Sequence, residues 1–443
     1  MRLALGARAV LVLAGFAAGG VEAADAPSSS PMVQQTEREA SAELRLHWDA
    51  RTLNDAGPLA AANRWLPGIA PATPSALVAE AELRGVWRAP NLPFMRSSVV
   101  GNGLLWAERP AGSAARSQGR INELYAAGDF GAWQASAGKK VVGWDVGFGF
   151  RPNDVVQQEA RRTLLAVTPE GRALVELEHY GAQTAGSLVW VNPQHAHTAS
   201  DDQRGALETA VATRLYRRDG SADWHAFGRW GAHTAGSLGA ALAWVATDEL
   251  ELHASARALQ RHDGWQLDPQ AGTALVTNNP WRQATLGHAA QALLGASWTG
   301  RHQQSLLIEA WHDGTALADR DWDAWLARNR ALGAFGAQSG LPAGLLIATS
   351  GNLAWQATPF TATNLRRDNL FMRMAWQPDR WTLSLDGLFT PSDRGHVLTA
   401  AAQWQGERLR LNAAWRVYGG PCDALFAQLP QRSVGLLAAA WPF

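Results

Sequence analysis

Most of the chain repeats one pattern, in which stretches of about ten residues alternate between apolar and polar side chains and end at turn residues. The even positions are apolar in residues 370–376, and the odd positions are apolar in residues 381–389 and 409–417. Successive side chains of a strand point to opposite faces, so each stretch predicts a strand with one apolar and one polar face. After residue 23, no apolar run approaches the ~20 residues of a membrane-spanning helix, which excludes a helical transporter. A membrane β-barrel satisfies both observations.

The pattern continues from residue 41 to residue 443. At ~22 residues per strand and connection, it predicts an all-β fold, a transmembrane antiparallel β-barrel of about 18 strands, within a range of roughly 16–20. In the C-terminal half, short connections such as 377–380 and 405–408 mostly alternate with long ones such as 313–341 and 419–430. Short periplasmic turns and long external loops of an outer-membrane barrel produce this alternation. The short connection near 231–235 departs from it.

A secreted β-propeller is the main soluble alternative, because propellers are also all-β and can be rich in tryptophan. The chain has 22 tryptophans, and the sequence GAQTAGSL at 181–188 recurs as GAHTAGSL at 231–238, an offset of 50 residues. That offset lies in the range of propeller blades. However, no third copy follows, and one barrel can contain two similar hairpins. The barrel is therefore the preferred prediction.

The beginning of the chain predicts an export signal. Arg2 and Arg8 precede an apolar stretch at residues 9–18, and Val21 and Ala23 occupy positions −3 and −1 of a cleavage site. These features predict a signal peptide over residues 1–23. An uncleaved anchor is the alternative, although the apolar stretch is short for a membrane span. The polar residues 24–40 predict a flexible periplasmic tail, so the barrel is expected over residues 41–443.

The last predicted strand is amphipathic and ends in Phe443, with Trp441, Ala439 and Leu437 at alternate positions before it. It resembles the C-terminal insertion signal of Gram-negative outer-membrane proteins. Pro442 departs from that signal, since proline cannot donate a hydrogen bond to a strand ladder. The resemblance implies two partners, which are the lipid of the outer membrane and the barrel assembly machinery, contacted through the Phe443 strand.

Residues 120–156 form the most distinctive stretch, with RINELY at 120–125, GKKVVGWD at 138–145 and RPNDVV at 151–156. It resembles a hairpin of several Gram-negative outer-membrane porin and export-channel families, including the alginate-export type, in which a basic GRQ…WG strand precedes a P-x-D loop. Here two lysines replace the usual Arg-Gln, and Gly143-Trp144 reverses the usual order, so the subfamily is left open. The resemblance implies an outer-membrane channel.

The first group of candidate pore residues lies in this stretch. It consists of Lys139, Lys140, Asp145, Arg151 and Asp154, and it includes both lysines of the chain. These charges flank a glycine-rich loop, which can fold into a barrel lumen and narrow it. A salt-bridged hairpin at the surface is the alternative.

The second group is a set of arginines on the polar faces of the C-terminal strands. Its members are Arg367, Arg373, Arg408, Arg410 and Arg416. An arginine that faces lipid costs ~2–4 kcal/mol near the bilayer midplane, so the lumen is the preferred location. An arginine wall would select solutes by charge. In the alternative interpretation, the arginines only solvate a water-filled lumen or pair with acidic residues.

Residues 319–328 have helical spacing, with Trp322, Trp325 and Leu326 on one side. They predict a short helix inside the long loop 313–341, packed on the rim of the barrel. A lid over the pore is the alternative.

Several classes of function are excluded or disfavoured. The chain has 39 basic and 39 acidic residues, so a strongly basic nucleic-acid-binding protein is not expected. Its one cysteine, Cys422, excludes an internal disulfide framework and Cys-based metal sites. The nucleophile elbow, the P-loop, the dinucleotide fingerprint and the HExxH motif are absent from the sequence. We therefore expect no catalytic residue, cofactor or metal, although catalytic groups on distant strands of a barrel enzyme would escape such motifs.

The expected function is that of an outer-membrane channel for a polar or anionic solute, an oligomer or a secreted product, without covalent chemistry. The alternative is an outer-membrane export or assembly partner of a periplasmic system. A channel should conduct when it is purified alone, whereas an export partner should require its periplasmic system.

Overall fold

The computed structural model describes residues 37–70, 73–89, 95–157, 168–193 and 207–443. The predicted signal peptide and residues 24–36 of the predicted tail lie outside the described residues. The first strand begins at Glu37, four residues before the predicted start of the barrel at residue 41. These extra residues belong to the strand because the backbone of residues 37–40 lies in register with residues 85–88 of the second strand.

Eighteen strands within the described residues form one antiparallel sheet, which closes because the last strand pairs with the first. The barrel strands are β1 (Glu37–Leu53), β2 (Ser75–Arg88), β3 (Arg96–Pro110), β4 (Arg116–Phe130), β5 (Trp133–Lys140), β6 (Arg172–Tyr180), β7 (Thr184–Val191), β8 (Ala210–Asp219), β9 (Ala222–Gly231), β10 (Ala235–Thr247), β11 (Leu250–Leu259), β14 (Ala289–Thr299), β15 (Gln304–Asp313), β16 (Asp368–Trp376), β17 (Trp381–Thr390), β18 (Gly395–Gln405), β19 (Arg410–Gly419) and β20 (Gln431–Pro442). A separate hairpin consists of β12 (His262–Leu267) and β13 (Trp281–Leu286). The prediction of an antiparallel barrel of about 18 strands is confirmed, and the propeller alternative is excluded.

The two faces of the barrel wall differ as the alternation predicts. In β17, Leu383 and Leu385 are exposed on the outside, while Ser384 and Asp386 point into the lumen and are partly buried. Seven of the eleven exposed tryptophans in the described residues lie near one end of the barrel, as in the aromatic girdle of a membrane interface. They are Trp87, Trp133, Trp224, Trp244, Trp298, Trp376 and Trp381.

The connections sort by length between the two ends of the barrel. At the end that carries these seven tryptophans, termed the turn end, the connections include the tight turns 131–132, 220–221, 248–249 and 377–380. At the opposite end, termed the loop end, the longest connections are 54–74, 141–171, 260–288 and 314–367. The connections 232–234 and 391–394 at the loop end are short. The first of these is the departure that the sequence already showed.

In the described connections of the loop end, three helices pack above the wall, namely α1 (Gly57–Trp65), α2 (Asp319–Gly336) and α3 (Ala343–Trp355). The helix predicted at 319–328 is α2, extended to Gly336, and its Trp322 and Trp325 are fully buried against each other and Phe360. Its loop extends to residue 367, beyond the predicted residue 341. Helices α1 and α3 were not predicted from the sequence. In the part of the chain that the structure describes, no helix is long and apolar enough to span a bilayer.

Asp393 connects two loops at the loop end. Its carboxylate accepts hydrogen bonds from the hydroxyl of Thr390 at 2.6 Å, the backbone N–H groups of Gly395 at 2.9 Å and Leu425 at 3.0 Å, and Nε of Arg366 at 3.0 Å. Burial alone would raise the pKa of Asp393, but these hydrogen bonds and the Arg366 charge outweigh it and hold the pKa below its ordinary value.

This pKa shift predicts a pH-dependent loop. A depressed folded-state pKa stabilises the fold above the unfolded value of about 3.9, and the contribution is lost as the pH falls through the folded pKa. We expect the protection of residues 420–430 against hydrogen exchange, taken relative to the intrinsic exchange rate at the same pH, to fall as the pH drops below about 4. In Asp393→Asn this protection should already be low at neutral pH. Equal exchange in the two proteins at neutral pH would contradict this role.

Candidate functional site

Residues 141–157, termed the constriction loop, leave the end of β5 and lie inside the barrel. Val142, Trp144, Val155 and Val156 are buried in a cluster with inward side chains of β6–β10, such as Phe227. The loop therefore covers one inner wall of the barrel with an apolar contact that is shielded from the water of the lumen. Burial of this apolar surface contributes favourably to holding the loop there.

Glu309 on β15 fixes the middle of the loop. Its carboxylate is fully buried and accepts hydrogen bonds from the backbone N–H groups of Phe148 and Gly149, each at 2.6 Å. Nε2 of His253 lies 3.0 Å from the same carboxylate. A Cβ at residue 149 would lie 3.0 Å from Oε2 of Glu309 and 3.2 Å from Trp311, so glycine permits this close approach. Hydrogen bonds to a buried carboxylate are among the stronger ones in proteins.

A second polar anchor joins the loop to β10 and β11. The carboxylate of Asp145 accepts hydrogen bonds from the backbone N–H of Asn153 and from the hydroxyl of Ser255, the latter at 2.7 Å. The amide of Asn153 donates to Ser255 at 2.9 Å and to the backbone oxygen of Ala256 at 3.0 Å. Gly239 on β10 makes room for it, because a Cβ there would overlap the amide of Asn153.

Three inward arginines bind carbonyl groups along the second half of the loop. Arg257 donates to the backbone oxygen of Pro152 at 3.2 Å, Arg229 to Val155 at 3.1 Å and Arg172 to Gln157 at 3.0 Å. These arginines come from β11, β9 and β6, so they hold the loop across a broad arc of the wall. Together with Glu309 and Asp145, they account for the position of the loop within the lumen.

The wall across the lumen from the loop is charged. Arg45 on β1 lies 3.2 Å from Glu43 and 3.6 Å from Glu80, and it also contacts Glu82. Thr168, which follows the constriction loop in the chain, donates to Glu82 at 2.6 Å. The lumen therefore has a wall covered by the constriction loop on one side and a wall of partly hydrated ion pairs on the other.

The first group of predicted site residues divides between the loop and its base. Asp145, Arg151 and Asp154 lie in the constriction loop inside the barrel, and Nε of Arg151 donates to the backbone oxygen of Gly147 at 2.8 Å. Lys139 and Lys140 end β5 and are ion-paired with Glu170 and Glu176, each at 2.6 Å. The loop is thus not a surface hairpin. A role of these residues in solute selection stays a prediction.

The second group, the arginine set, requires correction. Arg373 and Arg410 face the lumen, but they pair with Asp386 at 3.2 Å and Glu43 at 2.9 Å. Arg416 donates to the hydroxyl of Thr399 at 2.9 Å. The arginines on the inner face therefore alternate with acceptors and do not form an unopposed positive wall.

Arg367 and Arg408 are not on the strands at all. Arg367 precedes β16 and donates to the backbone oxygen of Ala316 at 3.0 Å. Arg408 is exposed in the turn between β18 and β19, which a backbone hydrogen bond of 2.8 Å from Gly406 to Leu409 closes. Extending the alternation into these connections was wrong, because side-chain parity applies only where the ladder continues.

Apart from Asp145, the anchors of the loop are not among the predicted site residues. Glu309 carries a weak signal, since it is an acidic residue on the polar face of a predicted strand. His253, Ser255 and Arg257 occupy alternate positions of β11, which indicates their shared face but not their contact with the loop. Among the described residues, no group of three or more metal-binding side chains is arranged to hold an ion.

The comparisons with known proteins agree with this architecture at the level of the fold. No protein-family model and no curated protein matches the chain. Among solved structures, the chain is similar to OccD3 (OpdP) of Pseudomonas aeruginosa, with a TM-score of 0.50, 7% identity, and coverage of 92% of this chain and 91% of that chain. A variant of the Rhodopseudomonas blastica porin gives a TM-score of 0.44 at 10% identity, covering 92% of this chain and 100% of that chain. The chain therefore has a closed β-barrel fold that is similar to the fold of OccD3 (OpdP).

Proposed function

We propose that this protein is a channel of a Gram-negative outer membrane that passes polar or anionic solutes without covalent chemistry. The observation that carries the proposal is the constriction loop, which is clamped to one inner wall by Glu309, Asp145 and three arginines. A loop held in this way narrows a water-filled lumen and leaves the charged wall to face the solute. The Phe443 strand would contact the assembly machinery during insertion.

The charges of the lumen support passage of small hydrated solutes. Arg45 and Arg410 are partly accessible on the charged wall, whereas the guanidinium of Arg373 lies 5.5 Å from the ring centroid of Phe148 in the constriction loop. Each of the three has a carboxylate neighbour. Contact with the lumen water weakens such ion pairs toward the about 0–1 kcal/mol of exposed pairs, so their partners can exchange for a passing ion. Such a lumen would allow entry while avoiding tight retention, as conduction requires.

Single-channel recording tests this proposal. Purified full-length protein should fold into a heat-modifiable barrel and produce discrete conductance steps in a planar bilayer without other proteins. Complete absence of steps from a correctly folded barrel would overturn the proposal. Steps that occur only after a periplasmic system is added would favour the alternative function of an export partner.

The arginines of the lumen should bias the channel modestly toward anions. We expect combined replacement of Arg373, Arg410 and Arg416 by glutamine to lower the anion-to-cation permeability ratio without affecting insertion, because their potentials add in a confined space. The effect should shrink at about 1 M salt, where the screening length falls to ~3 Å. The measurement is the reversal potential in a salt gradient. Arg408→Gln is the matched control, since Arg408 is exposed in a turn.

An unchanged reversal potential in the triple variant would show that these arginines do not determine selectivity. The same measurement on Lys139→Gln and Lys140→Gln would then test the base of the constriction loop, where both lysines are paired with glutamates.

A further inference from the structure

An aromatic row lies on the inner face of β8 and β9, between the constriction loop and the turn end. Tyr216 and His225 are directly opposite in register, with ring centroids 5.2 Å apart. The rings of His225 and Phe227 stack at 5.8 Å and 3°. Their neighbours Leu215 and Trp224 are exposed on the outer face, so the row faces the lumen. It begins at Phe227, under the constriction loop, and continues toward the turn end.

Arg214 adds a positive charge to this row. Its guanidinium lies 5.6 Å from the ring centroid of Tyr216, and its Nε lies 3.4 Å from Nδ1 of His225. Lys140, Arg373 and Arg410 each have a carboxylate within 4 Å, whereas Arg214 has none among the residues that the structure describes. Within the same residues, its two terminal NH2 groups donate no hydrogen bond, so they are available to a solute.

The geometry is fixed by contacts at the turn end. The hydroxyl of Tyr216 donates to Asp223 at 2.6 Å, and Nε of Arg218 donates to the same carboxylate at 3.0 Å. The acidic neighbours are already engaged, since Glu176 pairs with Lys140 at 2.6 Å and Glu178 accepts a hydrogen bond from Ser187 at 3.1 Å. The ring of Tyr216 and the guanidinium of Arg214 are therefore presented together in a preorganised arrangement, which reduces the entropy cost of binding.

We propose that Arg214, Tyr216 and His225 form a binding subsite for solutes that carry both an aromatic ring and a carboxylate. This inference rests on the proposed function, which brings such solutes into the lumen. The solute ring stacks against the aromatic row. The carboxylate of the solute accepts hydrogen bonds from the terminal NH2 groups of Arg214. Because both contacts are modest and partly hydrated, a bound solute is retained briefly and then released along the row toward the turn end.

Equilibrium binding to the full-length barrel in detergent tests the subsite. The probes are benzoate and cyclohexanecarboxylate, which share charge and approximate size but differ in aromaticity, and NMR saturation transfer gives their affinities. We expect benzoate to bind about three- to tenfold more tightly than cyclohexanecarboxylate. Tyr216→Leu should remove this preference, and Arg214→Gln should weaken the binding of both carboxylates by about tenfold.

Two further variants keep the test decisive. Arg214→Lys retains the charge and should bind benzoate with intermediate affinity, because lysine lacks the planar fork. Tyr125→Leu removes another inward tyrosine, which lies 5.4 Å from Nζ of Lys140 on a different part of the wall, and it should bind benzoate normally. Equal affinity for the two probes in the unmodified protein, or equal benzoate affinity in Arg214→Gln, would overturn the subsite.

The binding measurement does not require conduction. A barrel that binds benzoate selectively but shows no conductance steps would overturn the proposed channel function and support the subsite. A conducting barrel without any preference for benzoate would overturn only the subsite.

Discussion

Replacement of Leu385 by arginine is expected to prevent stable insertion of the barrel. Leu385 is 47% exposed on the outer face of β17, where lipid contacts the wall. At ~3.3 Å per residue and a strand tilt of roughly 40°, it lies about 10 Å from Trp381 along the membrane normal, close to the middle of the apolar band. An arginine at this depth costs ~2–4 kcal/mol. That cost is a large fraction of the ~5–15 kcal/mol by which proteins are stable.

Ser384→Arg is the matched control, because Ser384 lies at the same depth but points into the lumen. It is directly opposite two small residues, Ala375 and Ala401, so the lumen has space for a longer side chain there. Folding into lipid vesicles, scored by the unheated gel band and by urea titration, should fail for Leu385→Arg and succeed for Ser384→Arg. Equal folding of the two variants would mean that the assignment of the two faces is wrong.

Replacement of Glu309 by alanine is expected to release the constriction loop and increase conductance. The change leaves the buried N–H groups of Phe148 and Gly149 without their acceptor, at about 1–3 kcal/mol for each. It also removes the partner of His253. The remaining anchors on the loop cannot restore these bonds, because Asp145 and the arginines bind other segments of it. We expect larger and noisier current steps, together with new protease cleavage within residues 141–157.

Glu251→Ala is the control for Glu309→Ala. Glu251 lies on β11 with its carboxylate 3.8 Å from Nδ1 of His253, and in the described structure it makes no hydrogen bond to the loop. It should therefore leave the step size unchanged. Glu309→Gln keeps the shape and one acceptor oxygen, so it should have a smaller effect than alanine and should fold even if the alanine variant does not. Identical conductance in all three variants would refute the role of Glu309 as an anchor.

The positions of several strands, mostly in the C-terminal half, could be predicted from sequence because each strand is defined locally. Because lipid lies outside the barrel and water inside it, every strand needs one apolar face and one polar face, independently of the other segments. Residues 370–376 and 381–389 show this pattern. The same local reasoning identified α2 from the spacing of Trp322, Trp325 and Leu326. It failed in the connections. Arg367 and Arg408 lie outside the strands, so the alternation does not apply to them. The helices α1 and α3 depend on packing against each other and against α2.

The sequence alone therefore determined the class of fold, the approximate number of strands and the residues that face lipid. Only the tertiary structure decided which loop enters the lumen and which charges meet there. The contacts that seat the constriction loop join Phe148 to Glu309, 161 residues apart, and Asn153 to Ser255, 102 residues apart. Pairing of Arg410 with Glu43 requires the last strands to close against the first. Neither alternation nor spacing carries information about such contacts, because they arise when closure of the sheet brings distant segments together.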